Sequence, residues 1–267
     1  MAGTIDGIRC STRPDCITPA ILERLQGYGL TCVELGVQSM DDDVLTKARR
    51  GHTAGDVVVA TELLRQYGFT VGHQLMPGLP GEDWDSLVRT TDAICRLQPD
   101  LARIYPVAVL TGTDLADSWR AGCYHALTIH EGIVRAAYMK QRFLEQGINC
   151  IRTGLQATED LDDDTQVLAG AYTPAMGELV DTRRYGRQLL SFLRSLPAGP
   201  GITICYNRRD TSRVRGYRNV TVKTARWSLP HRLTWRQDEV PVGHIRGCQG
   251  RTSYELDVNS KTGPTMI

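Results

Sequence analysis

Four short segments place polar side chains, with Gly36, Gly72 and Met76 among them, at every second position: Arg9, Ser11 and Arg13; Glu34, Gly36 and Gln38; Gly72, Gln74 and Met76; Arg103 and Tyr105. In an extended chain, alternate residues face opposite sides. Each set therefore shares one side, while Val33, Leu35 and Val37, or Val71, His73 and Leu75, share the other. A polar inner face is costly unless its groups pair or meet a ligand. The pattern predicts a pocket for a polar ligand at the C-terminal ends of these strands, where barrels and open α/β sheets both bind. The alternative is a buried network in which Glu34 pairs with Arg9 or Arg103 and nothing binds. A third reading, Glu34 as a general acid or base, lacks a second carboxylate to work with. His73 reads as a packed or hydrogen-bonded core residue.

The elements that position these residues alternate in type. Strands are expected over 5–11, 31–38, 69–76 and 101–110. Thr18 with Pro19 opens the first helix, Ser39 with Asp42 the second, and Thr53 with Asp56 the third through a capping box. Another helix covers 84–97, after Pro77-Gly78-Leu79-Pro80-Gly81 has broken the third strand. Strand–helix alternation with short connections implies parallel strands and right-handed crossovers. Beyond residue 110 the rhythm changes to helices over 129–146 and 176–196, with a polar connection at Asp162-Asp163-Asp164. Short strands over 202–206, 220–223 and 231–235 follow. The expected division is 1–125, a partial (β/α) barrel; 126–196, a helical segment; and 197–267, a basic β-rich extension.

The 267 residues are 41% hydrophobic and 23% charged, which excludes wholesale disorder. The net charge of +1 is unevenly spread. Residues 1–100 hold 9 Lys/Arg against 14 Asp/Glu, and residues 201–267 hold 12 against 5. Eight cysteines include no C-x-x-C pair, which removes zinc-ribbon and thioredoxin-like readings. No apolar run approaches the roughly 18–20 residues of a membrane span, so a cytoplasmic protein is expected.

Several motifs bear a family resemblance. Gly7-Ile8-Arg9-Cys10-Ser11-Thr12-Arg13-Pro14-Asp15, Glu34-Leu35-Gly36-Val37-Gln38-Ser39 and Arg50-Gly51-His52-Thr53 resemble segments of radical SAM proteins related to the catalytic subunit of Elongator. Met76-Pro77-Gly78-Leu79-Pro80-Gly81 and Arg103-Ile104-Tyr105-Pro106 continue the resemblance in order, followed by Gly112-Thr113 and Leu115. It implies a partial (β/α) barrel that holds a 4Fe–4S cluster and S-adenosylmethionine (SAM). In that chemistry the reduced cluster splits the sulfonium C–S bond, and a 5′-deoxyadenosyl radical takes a hydrogen atom from the substrate. By motif position, Ser11, Gln38, Arg50, Gln74 and Met76 correspond to SAM contacts in the related oxygen-independent coproporphyrinogen oxidases. Arg50 would meet the SAM carboxylate, and Ser11 stands where other members carry glutamate. An electron donor such as flavodoxin or ferredoxin is implied as well.

The sequence departs from that family at its cluster motif. C-x-x-x-C-x-x-C is absent, and Cys10 and Cys16 are wrongly spaced to replace its three thiolates. The expectation is a chain lacking the family's first strands, inactive by itself. No acetyltransferase domain is evident in the second half, so acetyl chemistry does not carry over. The alternative function is a non-catalytic RNA-binding or scaffold remnant of the family.

Residues 201–236 hold nine cations and one acid, Asp210, with Tyr206, Tyr217, Trp227 and Trp235 interleaved. Cations among aromatics suit RNA, with phosphate contacts for affinity and stacking for position. The competing reading is a solvated strand face, or a patch that docks on the acidic front half.

Overall fold

The computed structural model describes residues 5, 7–156, 158, 161, 165–197, 199, 201–229, 232–261 and 265–266. Asp162 to Asp164 and His231 lie outside the described residues. The chain forms two units, 1–176 and 177–267. The expected 126–196 segment is therefore shared between them, and its long helix α7 (Met176–Ser195) is grouped with the C-terminal strands.

In the N-terminal unit, β1 (Ile8–Thr12), β2 (Leu30–Gln38), β3 (Thr70–Leu75), β4 (Leu101–Ile104) and β6 (Asn149–Thr153) form one sheet in that order. Every neighbouring pair is parallel. The crossovers are α1 (Pro19–Gly27), α2 (Asp42–Lys47) with α3 (Ala54–Gln66), and α4 (Trp84–Leu97). Helix α6 (Ile129–Glu145) leads into β6. The sheet is open, a partial (β/α) barrel of five strands rather than a closed one.

The helix starts follow from side chains that satisfy free N–H groups. Thr18 Oγ1 accepts from Ile21 N–H, and Thr53 and Asp56 form the reciprocal capping box. The second helix begins differently from the sequence expectation. Asp41, not Ser39, is its N-cap and accepts from the N–H groups of Asp43 and Val44, while Ser39 Oγ accepts from Asp41 N–H. Ser39 is buried against Thr90 (3.1 Å), so its hydroxyl fixes the approach to the helix.

The fourth expected strand divides. The chain leaves the sheet after Ile104, at Tyr105-Pro106, and Ala108–Leu110 becomes β5 (the strand preceding β6), paired antiparallel with β7 (Val167–Gly170). Pro106 has no N–H to continue a ladder. Its neighbours instead donate to the preceding loop, Tyr105 N–H to the carbonyl of Leu75 (2.8 Å) and Val107 N–H to that of Pro77 (2.9 Å). A short helix, α5 (Asp114–Arg120), follows β5.

Val33, Leu35, Val37, Val71 and Leu75 are fully buried on the helix-facing side. His73 joins them, hydrogen-bonded through Nε2 to Thr61 Oγ1 (2.9 Å). Burial, assisted by Arg65, pushes its pKa down to about 3, so it is a neutral core residue at physiological pH.

The C-terminal unit packs α7 on a five-stranded sheet. Its strands are β8 (Ile202–Tyr206), β9 (Leu233–Gln237), β10 (His244–Gln249), β11 (Thr252–Asp257) and β12 (Thr265–Met266), in the order β12-β11-β10-β8-β9. Strands β8 and β9 are parallel, joined by α8 (Thr211–Arg215) and α9 (Val220–Ser228). The strand expected at 220–223 is thus helix. Thr221, Val222 and Ala225 are its buried residues, a helical spacing that the three-residue β-branched run Val220-Thr221-Val222 conceals.

Gly72 faces Glu34 in the register of β2 and β3, and a Cβ there would stand 2.8 Å from Glu34 Cγ. Gly72→Ala should lower stability by about 1–3 kcal/mol through overpacking, read as a lower urea midpoint with an unchanged m-value.

Candidate SAM-binding face and cavity

The polar side of β1 to β4 is organised around one carboxylate. Glu34 is 2% exposed, and its Oε1 accepts from Arg9 Nη1 and from Arg103 Nη2, both at 2.9 Å. The second pair spans β3, because Gly72 offers no side chain in the path. Arg103 also donates to Tyr105 Oη (3.1 Å). The expected network therefore exists and uses both arginines. Glu34 Oε2 has no hydrogen-bond partner among the described residues.

Closer to the strand ends, backbone geometry changes. Gln38 closes β2 with φ 65°, a left-handed conformation that costs a non-glycine residue about 1–2 kcal/mol. Its carbonyl accepts from Met76 N–H (3.0 Å), which joins the ends of β2 and β3. Gln38 is buried, and its Oε1 is unpartnered. Gly36 leaves room for this side chain, since a Cβ there would lie 2.9 Å from Gln38 Nε2.

Arg50 sits on the short link between α2 and α3. His52 holds that link to the sheet through Nε2 and the Val37 carbonyl (3.1 Å), and Arg13 donates to the Gly51 carbonyl (3.3 Å). The Arg50 guanidinium is half-buried, with Nε unpartnered and no ion pair among the described residues. Burial, and then the Arg13 charge, lowers its pKa from the ordinary arginine value. Such a cation is suited to an anionic group supplied by a ligand.

A cavity of about 730 Å³ opens here, lined by Lys47, Arg49, Arg50, Met76, Leu79 and Tyr124 among others. Of the five residues singled out by sequence, Arg50 and Met76 line it. Gln38 is stitched to Met76 beside it. Ser11 lies on edge strand β1 and is exposed, opposite Glu34 in register; Gln74 is half-buried on β3 opposite Arg103. Neither lines the cavity, so the structure gathers three of the five.

Sequence reasoning missed the group that shapes the cavity wall. Glu82 Oε1 accepts from Gly78 N–H (2.8 Å) and pairs with Arg135 (3.3 Å), and Tyr124 Oη donates to the Gly78 carbonyl (2.6 Å). These bonds clasp the Pro77-Gly78-Leu79-Pro80-Gly81 turn, in which Gly78 has φ 100° and Gly81 φ 82°. Burial raises Glu82 to about 7 against the opposing pull of Gly78 N–H and Arg135. Burial, together with the Glu82 charge, raises Tyr124 to about 12. The breaker motif marked the turn, but no local pattern identified Tyr124 and Arg135, more than forty residues away.

Glu34→Gln should cost about 1–3 kcal/mol, because two guanidinium groups lose their shared anion while remaining partly hydrated; chemical denaturation checks this. Glu82 binds its proton more tightly in the folded chain, so its contribution to stability is present below about pH 4.5 and is lost as pH rises through about 7. Glu82→Gln should flatten that part of the stability–pH curve.

The fit to the group's ligands is uneven. The strained Gln38, its orphaned oxygen, the unpaired Arg50 and the Gly36 clearance suit a polar ligand with an anionic end such as SAM. A 4Fe–4S cluster does not fit. Among the described residues no three His, Cys, Asp or Glu side chains converge, with Cys10 half-buried on β1 and Cys16 exposed in the following turn.

Residues 2–94 match the Radical SAM superfamily, and residues 99–185 match the Radical SAM C-terminal domain. The tRNA uridine(34) acetyltransferase of Dehalococcoides mccartyi is 42% identical over 121 residues, 44% of this chain and 26% of that protein. Its namesake from Methanocaldococcus jannaschii is 36% identical over 132 residues, 48% of this chain and 24% of that protein. This chain thus matches only about a quarter of the length of these relatives. In fold it is similar to the archaeal Methanocaldococcus infernus Elp3 with an N-terminal deletion, at TM-score 0.61 and 22% identity over 94% of this chain and 54% of that one. On the two family matches, the chain belongs to the radical SAM superfamily, and it is similar to that superfamily's Elongator-catalytic-subunit-like members.

Proposed function

We propose that this chain supplies the SAM-binding face of a radical SAM enzyme that acts on RNA. The observation that carries the reading is Arg50, a half-buried guanidinium without an ion pair among the described residues, on a cavity beside the strained Gln38. Arg50 would hold the ligand's carboxylate, Gln38 a polar group through its free oxygen, and Met76 an apolar portion. Ser11 and Gln74 belong to the same polar side and would contribute at its periphery. In the superfamily SAM would supply hydrogen-abstracting chemistry, and the cluster that chemistry calls for would have to be held by residues other than those described here. The residues of this chain do the binding: they orient the carboxylate, exclude water along the Leu79 and Val107 wall, and keep the strand ends in register. Reduction would draw on a donor of the flavodoxin or ferredoxin kind.

Action on RNA is supported by the relatives' names, which specify tRNA uridine(34). Their acetyl transfer is not part of the proposal, because this chain covers so little of them. A second reading, a non-catalytic RNA-binding or scaffold protein, is favoured by one observation: the described residues offer no cluster ligand set.

Titration of the chain with SAM by calorimetry separates the two. The proposal expects saturable binding, weakened about 10–100-fold in Arg50→Ala by loss of a charge-assisted pair worth about 1.5–3 kcal/mol. Arg50→Lys should recover part of it. No binding, or binding indifferent to Arg50, overturns the proposal and leaves the scaffold reading.

A further inference from the structure

The C-terminal unit, residues 177–267, carries sixteen Lys/Arg against seven Asp/Glu. The Radical SAM C-terminal domain match stops at residue 185, so most of this unit lies beyond it. Within it, Thr211 to Leu229 holds five cations and no acid.

The structure divides the aromatics and most of the cations of residues 201–236 into two groups. Tyr206 is buried in the core, and Trp235 packs against the same cluster. Arg213 faces Asp181 and Asp210 and lies over the Tyr185 ring. Arg236 is paired with Asp238 at 2.7 Å. These four residues serve the fold.

The second group faces water. Trp227 is 91% exposed and Tyr217 61% exposed, an unusual use of two large aromatics. Arg215, Arg218, Lys223 and Arg226 are exposed too, and none has an ion pair among the described residues. Helix α9 buries Thr221, Val222 and Ala225, so Lys223 and Trp227, four residues apart, share its outer face. Arg218 lies over the Tyr217 ring, 5.2 Å from its centroid. Both Arg218 and Asn219 adopt left-handed φ values, 52° and 59°, where the chain turns into the helix.

We infer that this face, centred on Tyr217 and Trp227, binds single-stranded RNA. Unpaired cations would neutralise phosphates, and the exposed rings would stack on bases, a sequence-tolerant contact. A solvated helix face needs neither ring. An acidic protein partner would be served by the cations, but it gives no reason for two rings in water. The choice of RNA over DNA rests on the functional reading above; the surface chemistry does not.

Fluorescence anisotropy of the full chain with a labelled twelve-nucleotide oligouridylate tests this. Three or four phosphate contacts predict a log–log salt slope of about −2 to −3. Trp227→Ala should weaken binding about 5–100-fold with that slope kept, as expected for a lost stacking contact. Lys223→Ala with Arg226→Ala should reduce the slope by about 1.4. Because Trp227 is exposed, Trp227→Ala should keep the wild-type thermal midpoint, and Trp227→Phe should restore most of the affinity. The proposal fails if the chain does not bind at 50 mM salt, or if binding ignores all three residues. It also fails if oligodeoxythymidylate binds more tightly, or if phosphatidylserine vesicles displace the RNA. SAM calorimetry on Trp227→Ala keeps the two readings apart. RNA binding through Trp227 without SAM binding by the parent chain removes the catalytic reading and leaves this surface standing.

Discussion

One carboxylate oxygen organises the N-terminal sheet. Glu34 Oε1 accepts from arginines on β1 and β4, two strands that do not touch, across a strand whose side chain at that point is missing. A buried carboxylate is tolerable only when paired, so the acid requires both arginines, and the span to Arg103 requires Gly72. Three sequence features far apart in the chain thus form one constraint. Its gain is positional rather than energetic, since a paired buried charge adds little net stability over an apolar replacement. It keeps the inner side of the sheet polar in a structure whose outer side is aliphatic core apart from the hydrogen-bonded His73.

That constraint separates support from function along the strand direction. Midway along the strands the charged groups pair through Glu34 Oε1, which is the network reading of the pattern, although Glu34 Oε2 and Arg103 Nε stay unpartnered among the described residues. At the C-terminal ends the charge of Arg50 has no such ion pair among the described residues. Gln38 and Arg50 hold unpartnered atoms there, and the backbone at Gln38 is strained. Strain and unmet polar groups persist where surrounding structure holds them in place. Here the holding groups are the Met76 amide, the His52 ring and the clasp at Glu82. The network and ligand readings are therefore compatible, each describing a different level of the same strands.

Legibility followed the range of the interaction. The β/α alternation, the parallel pairing and the Thr53 capping box were readable because period, breakers and caps act within a few residues. Glu34 was readable as part of a polar face, but that it takes both arginines depends on Gly72, a glycine whose clearance only the sheet register shows. Tyr124 and Arg135 were invisible because their partners sit more than forty residues away. The strand expected at 220–223 failed because β-branched residues at 220–222 outweighed a helical burial pattern that extends to Ala225. Asp41 displaced Ser39 as N-cap because the serine hydroxyl is committed to Thr90 and the Asp41 amide.

The basic segment shows why composition alone overstates a surface. Nine cations and four aromatics read along the chain as one uniform stripe, yet half of the aromatics belong to a core. Tyr206 lies on β8 between two other strands, and Trp235 packs against the same cluster, so their rings answer to the hydrophobic effect. Arg213 is drawn inward because Asp210, fully buried and also bonded to Tyr185 and the Gly243 amide, sits three residues before it. Removing these from the stripe does not weaken the remainder. Within Thr211 to Leu229 it leaves two rings and four cations for which packing and ion pairing give no account, on α8, α9 and the turn between them, with exposed Arg208 and Arg209 just before α8. A residue type counts toward binding only after the fold has taken what it needs, and here what is left over is still both aromatic and basic.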